Sequence, residues 1–466
     1  MPEIILPSTM VSVLGAFEPC FTAPSYRTFS LLVAGWIHCL GRRTVTAVAV
    51  ASGGVERRHI SVFHRFFSRA TWGLDALGQV VFRLALRWLP ADQPLTVLID
   101  DTLARKTGKG ISLATMHHDP LLSSARKPFC SFGHVWVVLA LWVPLPMGGS
   151  RGFALPLLFR LYVGAKRGGS KDAPGRPRRG TRQQAAERAH AAHPRPTKLA
   201  LARELLTLVA GWADGRTVYA VVDSAYAARP LLEDRPANVE VLSRLRLDAA
   251  LWARPGRRRP GPRGRPRKRG HRLPTPKAMA AVRRRWDPLP LTLYGRQVTP
   301  LVFAGTALWY GALRHQPVRI VLVRDPSGRR RDEAFFCTDL AVDAAFILEG
   351  YARRWTIEVA FFNQKQFLGF EDPQNQTPEA VARTAPLAGI VYDLILLWYA
   401  ARVQQGRAAG WLVRPWYRSK TTPSFLDMLA AVRQESWHLA FSDPPRPSPL
   451  TQNSPALDPQ ALQATA

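Results

Sequence analysis

At 466 residues, with 47% hydrophobic residues and 14 tryptophans, the chain holds enough apolar material for a large core and two or three domains, which excludes a wholly disordered protein. Its 64 Lys+Arg against 33 Asp+Glu give a net charge of +31, which points to a polyanionic partner, nucleic acid first. Cys20, Cys39, Cys130 and Cys337 lie scattered without paired spacing, so neither a zinc site nor a disulfide framework is expected, and a reducing cytosol fits.

Residues 1–90 read as helical, with an apolar helix at Tyr26–Leu40 and further helices at Arg42–Ala51, Ile60–Arg69 and Leu74–Leu89. Arg42, Arg43, Arg57, Arg58, His59, His64, Arg65 and Arg69 decorate them, so a DNA-binding helical domain is expected here. Pro2 and Glu3 lead into only a short apolar run, and no signal peptide is expected.

From Pro94 the pattern turns to strands. PLTVLIDDT is a β-branched run that ends in two aspartates, and strands are expected again at His134–Trp142 and Phe153–Val163. A basic Gly/Pro-rich connector, Lys166–Pro196, precedes Thr197, which is placed to cap a helix over Lys198–Trp212. RTVYAVVDSAY is a buried strand that ends at Asp223; helix Ala225–Glu233 and strand Val239–Ser243 follow. The order strand, strand, strand, helix, strand, helix, strand is that of an RNase H-like α/β domain, in which the first and fourth strands lie side by side.

Residues 245–340 interrupt that domain. They open with Arg254–Arg272, which holds ten Lys/Arg and no acid, and continue with strands at Val298–Ala304, Arg319–Arg324 and Glu333–Cys337. Within the basic arm, Arg263, Arg265 and Arg267 belong to a PRGRPR segment suited to phosphates or to a narrow minor groove. Trp309 and Tyr310 are core aromatics first and base-stacking groups second, and His117, His118 and Asp119 form a loop cluster without partner ligands.

Residues 341–443 return to the core. One helix is expected over Val342–Leu368, ending at Gly369, and a buried one over Thr384–Ala401. The longest apolar segments, Val135–Pro146 and Pro386–Ala401, fall short of the ~20 residues of a membrane span, so no membrane partner is expected. Residues 444–466 are Pro/Ser/Gln-rich and read as a disordered tail.

Three carboxylates stand out: one at each of two strand ends and Glu358 on the late helix. Acidic oxygens of this kind suit Mg²⁺ or Mn²⁺ and two-metal phosphoryl transfer. The first aspartate is either Asp100 or Asp101, which face opposite sides of one strand. On the helix, Tyr351, Arg354, Glu358 and Lys365 stand at offsets 0, 3, 7 and 14, within an arc of ~60°.

That helix matches Y-x2-R-x3-E-x6-K at every position and resembles the YREK signature of a large group of bacterial insertion-sequence DDE transposases. The DDT and VVDSAY blocks and the long β insertion are similar to the same superfamily, over roughly residues 90–400. The resemblance implies an RNase H-like mixed-sheet catalytic domain over 91–244 and 341–443, interrupted by the β-rich insertion and preceded by the helical domain. It implies Asp101, Asp223 and Glu358 as the catalytic, metal-binding triad, Asp101 being chosen because the family's ligand directly precedes a threonine. It implies Tyr351, Arg354 and Lys365 as contacts to DNA, two Mg²⁺ (or Mn²⁺) ions, and a homodimer acting in the bacterial cytoplasm on terminal inverted repeats and target DNA. The activity implied is end cleavage and strand transfer. A nuclease without strand transfer and an inactive DNA-binding derivative are the alternatives.

Overall fold

The computed structural model describes residues 6–108, 110–124, 126–164, 195–256, 267–407, 415–416 and 420–442. The tail at 444–466, nearly all of the 166–196 connector, and Arg263 and Arg265 of the basic arm lie outside the described residues.

Five helices open the fold: α1 (Ser8–Gly15), α2 (Ala23–His38), α3 (Val45–Ala51), α4 (Ile60–Ser68) and α5 (Leu74–Leu86). The hydroxyl of Thr44 caps α3 by accepting from Ala47 N at 3.2 Å. These helices share one continuous apolar core with the rest of the chain, running from Met10 and Trp36 to Leu429. The basic residues among them are not uniformly free: Arg43 is buried, its Nε donating to Trp36 O at 3.2 Å and its backbone N–H to Asp372 at 2.8 Å. Arg383, from a later helix, donates to Phe67 O, Ala70 O and Trp72 O, and so serves the carbonyls at the end of α4.

The sheet begins with β1 (Leu95–Arg105), β2 (Thr115–His118), β3 (Cys130–Val143) and β4 (Phe153–Tyr162). Then come α6 (Lys198–Trp212), β5 (Val218–Val222), α7 (Arg229–Leu232) and β6 (Val239–Arg244). Thr197 caps α6 as expected, accepting from Ala200 N at 3.2 Å. The helix expected at Ala225–Glu233 shrinks to α7, because a turn in which Tyr226 N and Ala227 N bond Asp223 O occupies its first half.

The late elements are α8 (Pro276–Val282), β7 (Asp287–Pro288), β8 (Leu291–Leu293), β9 (Arg296–Val298), β10 (Leu301–Leu308), α9 (Tyr310–Leu313), β11 (Pro317–Arg324) and β12 (Glu333–Cys337). They lead into α10 (Ala344–Arg353), α11 (Trp355–Leu368), α12 (Pro378–Gln404) and α13 (Phe425–Ser442).

A ten-stranded sheet runs β2-β3-β1-β5-β6-β12-β11-β10-β7, with β4 beside β3. β1 lies parallel to β5 and β5 parallel to β6, while β3 is antiparallel to β1. The run β4-β3-β1-β5-β6 is the RNase H-like core, and β1 and β5 are neighbours; the aspartates expected at the end of β1 stand in its middle, since pairing with β3 carries the strand on to Arg105, and Asp223 directly follows the last residue of β5. Of the strands of 245–340, β12, β11, β10 and β7 extend this same sheet, since β12 joins it antiparallel to β6, while β8 and β9 pair with each other in a separate two-stranded sheet.

Two local features differ from the sequence pattern. The single late helix is broken at Arg354, where Arg354 N bonds Tyr351 O and Ile357 N bonds Arg354 O, a tighter i to i−3 turn between α10 and α11. Gly369 ends α11 in the left-handed conformation, at φ 62°, as the glycine stop predicts. The longer helix α12 is apolar enough by composition to cross a membrane, but 89% of its most apolar window is buried in the fold, where it forms the core.

Candidate active site

β1 and β5 set the first half of the site. Their last paired residues are Ile99 and Val222, so the next residue on each strand is Asp100 and Asp223. Neighbours in register point to one face of a sheet, and Asp101, one residue on, points to the other.

On the face of Asp100, the junction between α10 and α11 supplies a guanidinium. Arg354 Nη1 donates to Asp100 Oδ2 at 2.8 Å, and its Nη2 donates to Glu358 Oε1 at 2.7 Å. One fork therefore joins the strand carboxylate to the helix carboxylate. Burial pushes the Asp100 carboxyl up to about 6, and the charges of Asp101 and Glu358 push the same way, against the pull of Arg354 and the backbone N–H of Asp101. Burial alone would loosen the proton on Arg354, but Asp100, Tyr351 and Glu358 outweigh it and hold that guanidinium charged. Tyr351 packs its ring 5.0 Å from Phe335, and burial raises its phenol above the ordinary range.

Asp101 serves the opposite face. Lys198, the first residue of α6, donates to its Oδ2 at 2.6 Å, and the Tyr226 hydroxyl donates to its Oδ1 at 2.8 Å. Burial first, then Asp101, keeps Tyr226 a neutral phenol. The structure thus brings Asp100 and Glu358 together through Arg354, leaves Asp100 and Asp223 each one residue past the last pair of β1 and β5, and joins Asp101 instead to Lys198 and Tyr226.

Lys365 is turned inward. Its Nζ donates to Leu103 O at 2.6 Å and pairs with Glu371 at 3.3 Å. Burial lowers its pKa, and Glu371 opposes that effect. Asp119 is held well below the usual carboxylate range by Arg105, so its carboxylate serves the fold, while His117 and His118 lie on the strand β2 and not in a loop. Trp309 packs at 5.2 Å against Phe336, in the core. Arg267 is exposed, and nearby Arg269 lies over the rings of Trp252 and Tyr310 at 3.8 and 4.9 Å, anchoring the base of the basic arm.

A cleft of about 1560 Å³ opens beside the site, lined by Tyr351, Arg353, Arg354 and Trp355 on one side and by Arg244, Arg296 and Arg329–Arg331 on the other. The arginine triplet sits in the turn between β11 and β12. Sequence patterning passes over it; its signal is the SGRRR run inside a hairpin connection.

Oxygen donors on one sheet face, one of them with its pKa raised to about 6 by burial, and a cation serving two of the acids are groups that suit hard cations and phosphates. Among the described residues, no three His, Cys, Asp or Glu stand close enough together to hold a metal ion, and Arg354 is the cation between Asp100 and Glu358.

Neighbouring parallel strands with acids just past their last mutual pair, and a glutamate on a helix packed across them, define an RNase H-like DDE domain. The family profile of the DDE superfamily endonucleases matches residues 16–294, more than half of the chain, and the chain belongs to that family. The match takes in both strand aspartates and the N-terminal helices from α2 onward, and it ends before the helix of Glu358. No curated protein is significantly similar to the chain in sequence.

Proposed function

We propose that this endonuclease-family chain is the transposase of a bacterial insertion sequence, which binds terminal inverted repeats, cuts the element's ends and joins them to target DNA. The observation that carries the reading is the Arg354 fork between Asp100 and Glu358, set beside Asp223 by the parallel pairing of β1 and β5. The acid set we assign is Asp100, Asp223 and Glu358, with Asp101 holding β1 to α6 from behind. That replaces Asp101 of the motif-based expectation, because the strand register favours Asp100 over Asp101 for the face of Glu358.

These oxygens would hold divalent Mg²⁺ or Mn²⁺, two ions in the full site, once Arg354 leaves the place between Asp100 and Glu358 that it fills here. Such ions supply an activated water or 3′-hydroxyl and a stabilised leaving oxygen. The chain's own residues do the rest. Tyr351 and Arg354 meet the phosphate flanking the cut, Arg354 exchanging carboxylate for phosphate within one fork. The arginines of the cleft carry the backbone on either side, and Arg263, Arg265 and Arg267 of the basic arm add phosphate-binding charge. Joining two ends calls for two protomers on DNA.

Asp223→Asn and Glu358→Gln should each remove Mg²⁺-dependent cleavage of an inverted-repeat duplex and leave its binding within a few-fold of the parent. Asp100→Asn should match them, whereas Asp101→Asn should keep measurable cutting. Full cleavage by Asp223→Asn or Glu358→Gln sinks the triad. Cleaved but never joined ends in a strand-transfer assay would mark a nuclease instead.

A further inference from the structure

We propose that Lys365 is a positioning residue that ties α11 to β1 and so sets the spacing of Glu358 from Asp100, instead of contacting DNA. The inference rests on the acid set assigned above.

Lys365 lies two turns beyond Glu358 on α11, and its ammonium donates to the carbonyl of Leu103, three residues beyond Asp100 on β1, at 2.6 Å. One bond therefore joins the two elements that carry these acids. Its side chain is only 25% exposed, and a second partner, Glu371 Oε1, lies at 3.3 Å. Glu371 is fixed in turn, because the same Oε1 accepts from Arg105 N at 3.3 Å.

The tie does not stand alone. The buried ammonium of Lys106, at the end of the same strand, donates to Glu371 O at 2.6 Å and Pro373 O at 2.8 Å. From the other side, the buried indole of Trp36 donates to Leu368 O, the last residue of α11, at 2.8 Å. The segment 368–373 is thus clamped between β1 and the N-terminal helices, and Lys365 is the member of the clamp nearest the acids. Reaching a phosphate would require its ammonium to leave a main-chain acceptor and a carboxylate, both in a largely buried seam.

Two measurements separate positioning from phosphate binding. The first is Mn²⁺ binding to the DNA-free protein, read by electron paramagnetic resonance. Lys365→Met should weaken it on the order of tenfold, the usual cost of losing a group that orients metal ligands. Glu371→Gln should weaken it in the same direction, and the double variant should lose less than the sum of the two because they share one tie. The second is the salt dependence of inverted-repeat binding without metal. Removing a cation that neutralises a phosphate lowers the slope of log K against log salt by ~1, whereas removing the tie leaves it unchanged.

Parent-like Mn²⁺ binding by Lys365→Met together with a slope reduced by ~1 overturns the proposal. Should Lys365→Met fail to fold, Glu371→Gln decides alone: a carboxylate does not bind phosphate, so parent-like Mn²⁺ binding by that variant also overturns it. Absence of Mn²⁺ binding by the parent itself is a different result, which overturns the acid-set assignment on which the tie depends.

Discussion

The Asp100 carboxyl, held up to about 6 chiefly by burial, couples stability and chemistry in opposite directions. Between the ordinary carboxylate range near pH 4 and pH 6 the folded chain keeps a proton that the unfolded chain has released. Stability therefore falls as pH rises through that window, and the penalty is fully present above it. Asp100→Asn should remove the penalty: denaturant unfolding should find the variant more stable at pH 8, by about 1–2 kcal/mol, with no gain at pH 4. A metal, by contrast, needs the ionised acid, so the metal concentration for half-maximal cleavage by the parent should fall as pH is raised from 5 to 7. A requirement flat across that range would show that Asp100 is not a ligand. The adjacent pair Asp100–Asp101 also marks the limit of reading residues from a motif. Both are acids in one strand, and proximity to Thr102 favours one of them. Only the pairing of Ile99 with Val222 tells which one shares a face with Asp223.

At the level of elements, the sequence is most informative where local chemistry decides. Thr197 before α6, Gly369 after α11, the β-branched core of β1 and the run Glu333–Cys337 all form as their residues dictate. It is less informative where a distant partner decides. The break at Arg354 falls at neither a proline nor a glycine, Gly350 standing one turn earlier inside α10; at that junction the guanidinium reaches Asp100, 254 positions away. C-terminal helices are expected within 341–443, but α13 gets no bounds from the sequence because it borders a Pro/Ser-rich tail, although a capping box announces it. Ser424 N donates to Asp427 Oδ2 at 2.7 Å, and Asp427 N returns to Ser424 Oγ at 3.4 Å. Glycines make a paired test of helix packing. A Cβ on Gly78 of α5 would stand 2.1 Å from the Leu157 carbonyl oxygen of β4, where backbone must move. One on exposed Gly211 of α6 would meet nothing within 4 Å. Gly78→Ala should destabilise by about 1–3 kcal/mol and Gly211→Ala should stabilise by about 0.5–1 kcal/mol, both read as shifts of the denaturation midpoint. Equal midpoints for the two variants would mean that α5 does not sit this close to the sheet.

Over the whole molecule, the charge of +31 acquires a location. Composition foretells a polyanion, but it does not say which cations face it: Arg43 and Lys106 are buried, and Arg383 is spent on carbonyls of the N-terminal helices. Arg329–Arg331, at the rim of the cleft, remain exposed. Replacing that triplet with alanine should lower the salt slope of DNA binding by about one unit for each phosphate the triplet neutralises. It should leave thermal stability near the parent's, and an unchanged slope would place the DNA elsewhere.

The antiparallel seam between β6 and β12 also bears on how the protein is made. A ribosome completes β1, β5 and β6 long before it reaches Glu333, and until then one margin of the growing sheet carries unpaired main-chain groups. A product released early would hold two of the three proposed acids, lack the third, and present a strand free to pair with any neighbour. Translation that stops short thus leaves aggregation-prone fragments, and on the proposed acid set such fragments would lack Glu358, which arrives only with the last quarter of the polypeptide.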